Sequence, residues 1–192
     1  MKFRAIDLTM SAMFAALMAI GSNITSFLIV GGVPITLTTF FSILAGLLLG
    51  SRLGAVSMTV YALIGLAGAP VFANFSGGLS VMVSPTFGFI LSYILVAFVV
   101  GKIAENRSSR TSFIFAAIVG LIINYGFGTN WMYFAYKWLA STDAISYKLA
   151  WTWMIVPLPK DIILTISAGV LALRLRKNIH KITNVFDKET IA

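Results

Sequence analysis

The chain has no cysteine, which excludes disulfides and thiolate-bound metals. Its single histidine, His180, lies in a basic tail and reads as a solvated residue, because metal sites gather several ligands. Charge is scarce: 10% of residues are charged, against about 25% in soluble domains. With 59% hydrophobic residues and a mean hydropathy of +0.95, a soluble fold is excluded and an all-α integral membrane protein is expected. The sequence also lacks a G-x-x-x-x-G-K-[ST] phosphate loop, an HExxH and a GxSxG. ATP hydrolysis and metal- or serine-based hydrolysis by this chain are therefore not expected, and no cofactor is. Within the apolar segments the acidic side chains reduce to Asp161, which leaves little for a proton or ion relay.

Six apolar segments are present, at about 8–30, 37–50, 55–72, 86–103, 112–136 and 159–174, one domain over 1–192 with a basic tail from about 175. The first follows Lys2 and Arg4 and reads as a retained helix rather than a cleaved leader. The net charge of +8 would point a soluble chain toward nucleic acid. Here the basic residues flank a membrane instead. With both termini cytoplasmic, the inner side holds Lys2, Arg4, Arg52, Lys102, Arg107, Arg110, Arg174, Arg176, Lys177, Lys181 and Lys188. The outer side holds Lys137, Lys148 and Lys160, so the count is eleven to three and favours an even number of spans. The outer connections "VGGVPIT" and "NFSGGLSVMVSPT" carry no charge. Either they fold back as a cover over an outward-facing pocket, Gly31, Gly32, Gly77 and Gly78 permitting close approach, or they are tight apolar turns.

The last segment contains "PLPKD", which places Lys160 and Asp161 inside hydrocarbon at about 2.5–3.5 kcal/mol each. Pro157 interrupts a helix from Trp151 and Pro159 can begin another. Asp161 then falls in a first turn, where free N–H groups and the helix dipole stabilise an anion. Neighbouring residues point about 100° apart, so each charge is free to meet a different partner. Both facing a ligand cavity is one reading; a first-turn Asp beside a snorkelling Lys is the other. In "INYGFGTNWMYFAYKW", Asn124, Tyr125, Asn130 and Trp131 are polar or amphipathic residues within a span, as pocket wall, interhelical glue or interfacial belt. Asn74 and Ser84 bound the third-to-fourth loop, and Tyr93 lies a turn or two into the fourth helix. In the first segment Ser11, Ala12, Ala15, Ala16 and Ala19 form one stripe of small residues, suited to internal packing or to a partner helix.

Four stretches together, "VPITLTTFFSILAGLLLGSRLGA", "GLAGAPVFANFSGGLSVMVSPTFGF", "YGFGTNW" and "PLPKD", carry a resemblance. Over about 12–173 the chain resembles the biotin-specific substrate-capture (S) component of energy-coupling-factor (ECF) transporters. The resemblance implies a six-transmembrane-helix bundle in the prokaryotic plasma membrane, with both termini cytoplasmic and a pocket near the extracellular side. It implies biotin as transported ligand, and as partners an ECF transmembrane coupling protein and two ABC-type ATPases. It implies docking of that coupling protein on Ala12, Ala15, Ala16 and Ala19. In the pocket, Asp161 would accept from the ureido N–H groups of biotin, and Asn74 or Asn124 would complete the head contacts. Tyr93, Tyr125 and Trp131 would enclose the rings. Lys160 would serve the ureido carbonyl or the tail carboxylate, with Ser84 or Thr86 as rivals for the latter. The family pattern is departed from at Thr38, Ser51, Ser84 and Lys160, so Asp161 is carried over more firmly than Lys160. An S component for another vitamin, or an intramembrane enzyme using Asp161, are the alternatives.

Overall fold

Long apolar runs without proline become helices because each backbone polar group must be satisfied inside its own segment. A computed structural model describes residues 4–30, 32–105, 109–139 and 144–189, with side chains as far as Arg176. Lys2, Gly31 and Arg107 lie outside the described residues, as do the side chains of Lys177, His180, Lys181 and Lys188. The helices are α1 (Ala5–Asn23), α2 (Thr38–Leu66), α3 (Phe87–Glu105), α4 (Arg110–Trp138), α5 (Tyr147–Ile155) and α6 (Leu158–Glu189). A two-residue hairpin, β1 (Ile29–Val30) with β2 (Val33–Pro34), stands between α1 and α2. Helices α1 to α4 are each long and apolar enough to cross a bilayer; α5 and α6, bent by 57°, supply a fifth crossing if taken as one broken span.

Six helices among the described residues match the number expected, but not one for one. The expected spans at 37–50 and 55–72 are two arms of α2, broken at Gly50, where φ is +83° and ψ is 180°. That region belongs almost wholly to glycine. The arms fold together closely enough to bring Gly54 against Ala45 and Gly46. Glu105 Oε1 accepts from both the backbone N–H and the hydroxyl of Ser51, each at 2.7 Å, so α3 caps the second arm of α2. Small residues elsewhere let backbones touch: Gly46 lies on Ala97, and Gly101 on Ser51.

The first helix stops earlier than its apolar run. Ser26 Oγ donates to Asn23 O at 3.0 Å and Thr25 Oγ1 to Ile35 O at 2.7 Å, hydrogen bonds that compete with helix continuation. The last helix runs past Arg174 to Glu189. The small-residue stripe divides: Ser11 and Ala15 (7% exposed) are buried, Ala19 is half-buried, and Ala12 and Ala16 are exposed. Ala15 is thus internal packing, corrected from a docking position, because it faces the core with Phe14 and Met18.

Polar contacts distinguish the two ends of the bundle. Lys102 pairs with Glu105 at 3.8 Å, and Arg176 donates to Ala104 O at 3.3 Å, which gathers the α2 hairpin, the end of α3 and the side chains of α6 near 176. The connections at 24–37 and 67–86 lie toward the other end, with α5.

Candidate functional site

A cavity of about 420 Å³ opens at the end holding those connections. That is within the range of small-molecule sites, about 300–1,000 Å³. Its wall is built from the 32–36 and 72–86 connections and from α2, α3, α4 and α6. Both uncharged loops therefore contribute lining.

A buried acid lies at the start of α6. Asp161 is 5% exposed and lies in the first turn. The Tyr125 hydroxyl donates to Asp161 Oδ2 at 2.7 Å. Oδ1 is 2.8 Å from Lys160 Nζ, an ion pair without an aligned hydrogen bond, so that oxygen keeps lone pairs free. The adjacent charges, free to meet different partners, have them in Tyr125 and Thr36 and also pair with each other, because the four-carbon stem of lysine bends back over one residue where a short side chain would not. Lys160 Nζ also donates to Thr36 O. From there Thr36 and Thr38 share a hydrogen bond of 2.6 Å, and Thr38 and Tyr93 another of 2.6 Å. One chain of polar groups thus joins α4, α6, the 32–36 connection, α2 and α3.

A second polar set comes from the 72–86 connection. Asn74, Ser76, Ser80, Ser84 and Thr86 line the cavity. Ser84 and Thr86 share a hydrogen bond of 2.7 Å just before α3 begins. Phe72, Phe89, Ile90, Tyr61, Tyr136 and Met154 supply apolar surface. Phe72 is 2% exposed; its ring stands edge-on to Tyr61 and fills a slot over Gly65, where any Cβ would overlap it.

The structure brings together eight of the expected ligand residues: Asp161, Lys160, Asn74, Ser84, Thr86, Tyr93, Asn124 and Tyr125. Trp131 is not among the lining residues. Its indole N–H donates to Ser84 O at 3.2 Å and its ring stands edge-on to Phe87, so it braces the loop from behind. Asn124 lines the cavity, yet its amide is engaged: Ser92 donates to Oδ1 at 2.6 Å and Nδ2 donates to Thr39 at 3.0 Å. That is the interhelical glue among the alternatives. Sequence reasoning missed Ser22, Thr36, Tyr61, Phe72 and Tyr136 as lining residues. Tyr61, an amphipathic residue within an apolar segment, was the available signal.

A multi-pass helical bundle with a small-molecule-sized cavity lined by a buried carboxylate, an ammonium and hydroxyls belongs to the class of membrane-embedded binding and transport proteins. By sequence the chain belongs to the BioY family, whose model matches residues 1–181. It is 46% identical, over 95% of its length and 93% of the relative's, to a putative biotin transporter BioYB of Bacillus subtilis (strain 168). It is 34% identical, over 89% of its length and 96% of the relative's, to a biotin transporter BioY of Thermotoga maritima. Among solved structures it resembles the S-component for biotin from an ECF-type ABC transporter, with a TM-score of 0.78 and 26% identity over 90% of this chain and 91% of that one.

Proposed function

We infer that this protein takes up biotin as the substrate-specific subunit of an ECF-type transporter; it is a multi-pass cell-membrane protein and not an enzyme. The carrying observation is family membership together with a 420 Å³ cavity lined by a buried carboxylate whose Oδ1 meets only the Lys160 ammonium and keeps lone pairs for a ligand. A urea N–H is a suitable donor for that oxygen. Lys160 stands on the same carboxylate at 2.8 Å, so both groups address one end of the ligand. With Asp161 accepting from the ureido N–H, Lys160 donates to the ureido carbonyl beside it. The tail carboxylate is then left to Ser84, Thr86 and Asn74. Tyr93 and Tyr125 flank the rings, and Asn124 acts by holding α2, α3 and α4 in register. A site that pairs each polar group of its ligand rejects analogues lacking one by about 10⁴-fold or more.

The cavity is assigned to the extracellular side and both termini to the cytoplasm, supported by the eleven-to-three distribution of basic residues. Partners are an ECF transmembrane coupling protein and two ABC-type ATPases, with the exposed Ala12 and Ala16 and the half-buried Ala19 as the docking face of α1. Titration of the purified protein with labelled biotin tests the reading. Tight, saturable binding without turnover supports it. Absence of binding with another vitamin co-purifying would replace the ligand, and chemical conversion of biotin would replace the transporter reading altogether.

A further inference from the structure

Asn74 and Phe75 are consecutive non-glycine residues in the left-handed region, with φ of +58° and +54°. Asparagine tolerates that conformation but a bulky side chain such as Phe75 does not, so something must hold the tip in place. Two contacts secure its base. Phe72 N–H donates to Ser76 O at 3.0 Å, and the Phe72 ring is buried over Gly65. Neither engages the amide of Phe75. That N–H donates to Asn23 Oδ1 at 2.7 Å. The same side chain donates through Nδ2 to Ala19 O at 2.9 Å and to Val71 O at 3.3 Å. Asn23 is the last residue of α1 and does not line the cavity; it grips the loop from outside while Asn74, one residue before Phe75, lines it.

We propose that Asn23 is a positioning residue for ligand binding: it locks 74–75 in the conformation that presents Asn74 to the cavity, and so ties affinity to α1, the helix whose outer face carries Ala12 and Ala16. This rests on the reading that Asn74 meets the ligand. Loss of the clamp lets the tip relax, and a contact made by Asn74 must then be re-formed at each binding event.

The test uses the full chain, with biotin affinity, melting midpoint and ligand-free hydrogen exchange as readouts. Asn23→Ala weakens biotin binding by about tenfold, the effect of roughly one net hydrogen bond. Asn23→Ala with Phe75→Gly recovers most of the lost affinity, since glycine takes a positive φ without help. A residue that merely stabilised α1 would not be rescued by a change in the loop. Parent-like binding by Asn23→Ala overturns the proposal. So does a double variant no better than Asn23→Ala at an equal melting midpoint. Failure of the parent to bind biotin refutes the proposed function instead; the Phe75 amide then decides the clamp, with reduced protection in Asn23→Ala supporting it and unchanged protection overturning it.

Discussion

Asp161 is held by two unlike partners, a neutral hydroxyl on Oδ2 and an ammonium on Oδ1. Removing one partner of a buried ionic group costs more than the pair contributes, because the remaining group stays desolvated. Asp161→Asn is expected to weaken biotin binding by about 10- to 100-fold, corresponding to a charged hydrogen bond of roughly 1.5–3 kcal/mol. Thr38→Ala is expected to stay under about tenfold, since Thr38 lines the cavity with a neutral hydroxyl already bonded to Thr36 and Tyr93. Titration of both variants checks the order; equal affinities for Asp161→Asn and the parent would remove Asp161 from the site. The position of Asp161 was legible from "PLPKD", because proline chemistry fixes where α6 can start. Its ion pair with Lys160 was not, because adjacency along a helix says where stems point and not how a long side chain bends.

At the scale of elements, α2 is two arms and one glycine. Gly50→Ala forces a side chain into a backbone region that excludes it, and its Cβ would stand 2.9 Å from Glu105 Oε1, the atom that caps the second arm. A loss of about 1–3 kcal/mol is expected, visible as a lower melting midpoint in detergent. Gly65→Ala drives a methyl into the Phe72 ring and loosens the loop that lines the cavity. Its signature is a loss of biotin affinity that exceeds the loss of thermal stability. The break near 50 was legible as a gap between apolar runs. That the runs fold against each other, and that Glu105 from α3 closes the turn, depends on contacts between residues 54 positions apart.

For the whole molecule, the sidedness of the bundle is open to a clean experiment because the chain has no cysteine. Arg110 and Ala144 are exposed positions at the start of α4 and just before α5. In right-side-out vesicles, an impermeant maleimide is expected to label Ala144→Cys and spare Arg110→Cys; the reverse pattern would invert the topology. Docking belongs to this scale too. Ala16→Trp fills the exposed face of α1 without touching the cavity. It is expected to abolish ATP-driven uptake with the coupling protein and ATPases present, with biotin binding unchanged.

The sequence by itself determined a helical membrane protein and the first-turn placement of one buried acid, because hydrocarbon length, proline and charge cost act locally along the chain. The tertiary structure alone decided which polar groups share the cavity. Trp131 and Asn124, both within α4 and both polar enough for a ligand role, were turned to bracing Ser84 and to joining Ser92 with Thr39. Thr36, Tyr61 and Phe72, which carry no motif, were turned inward. The physical reason is that a buried donor or acceptor must find a partner, and in a bundle that partner comes from another helix whose rotation no local pattern sets.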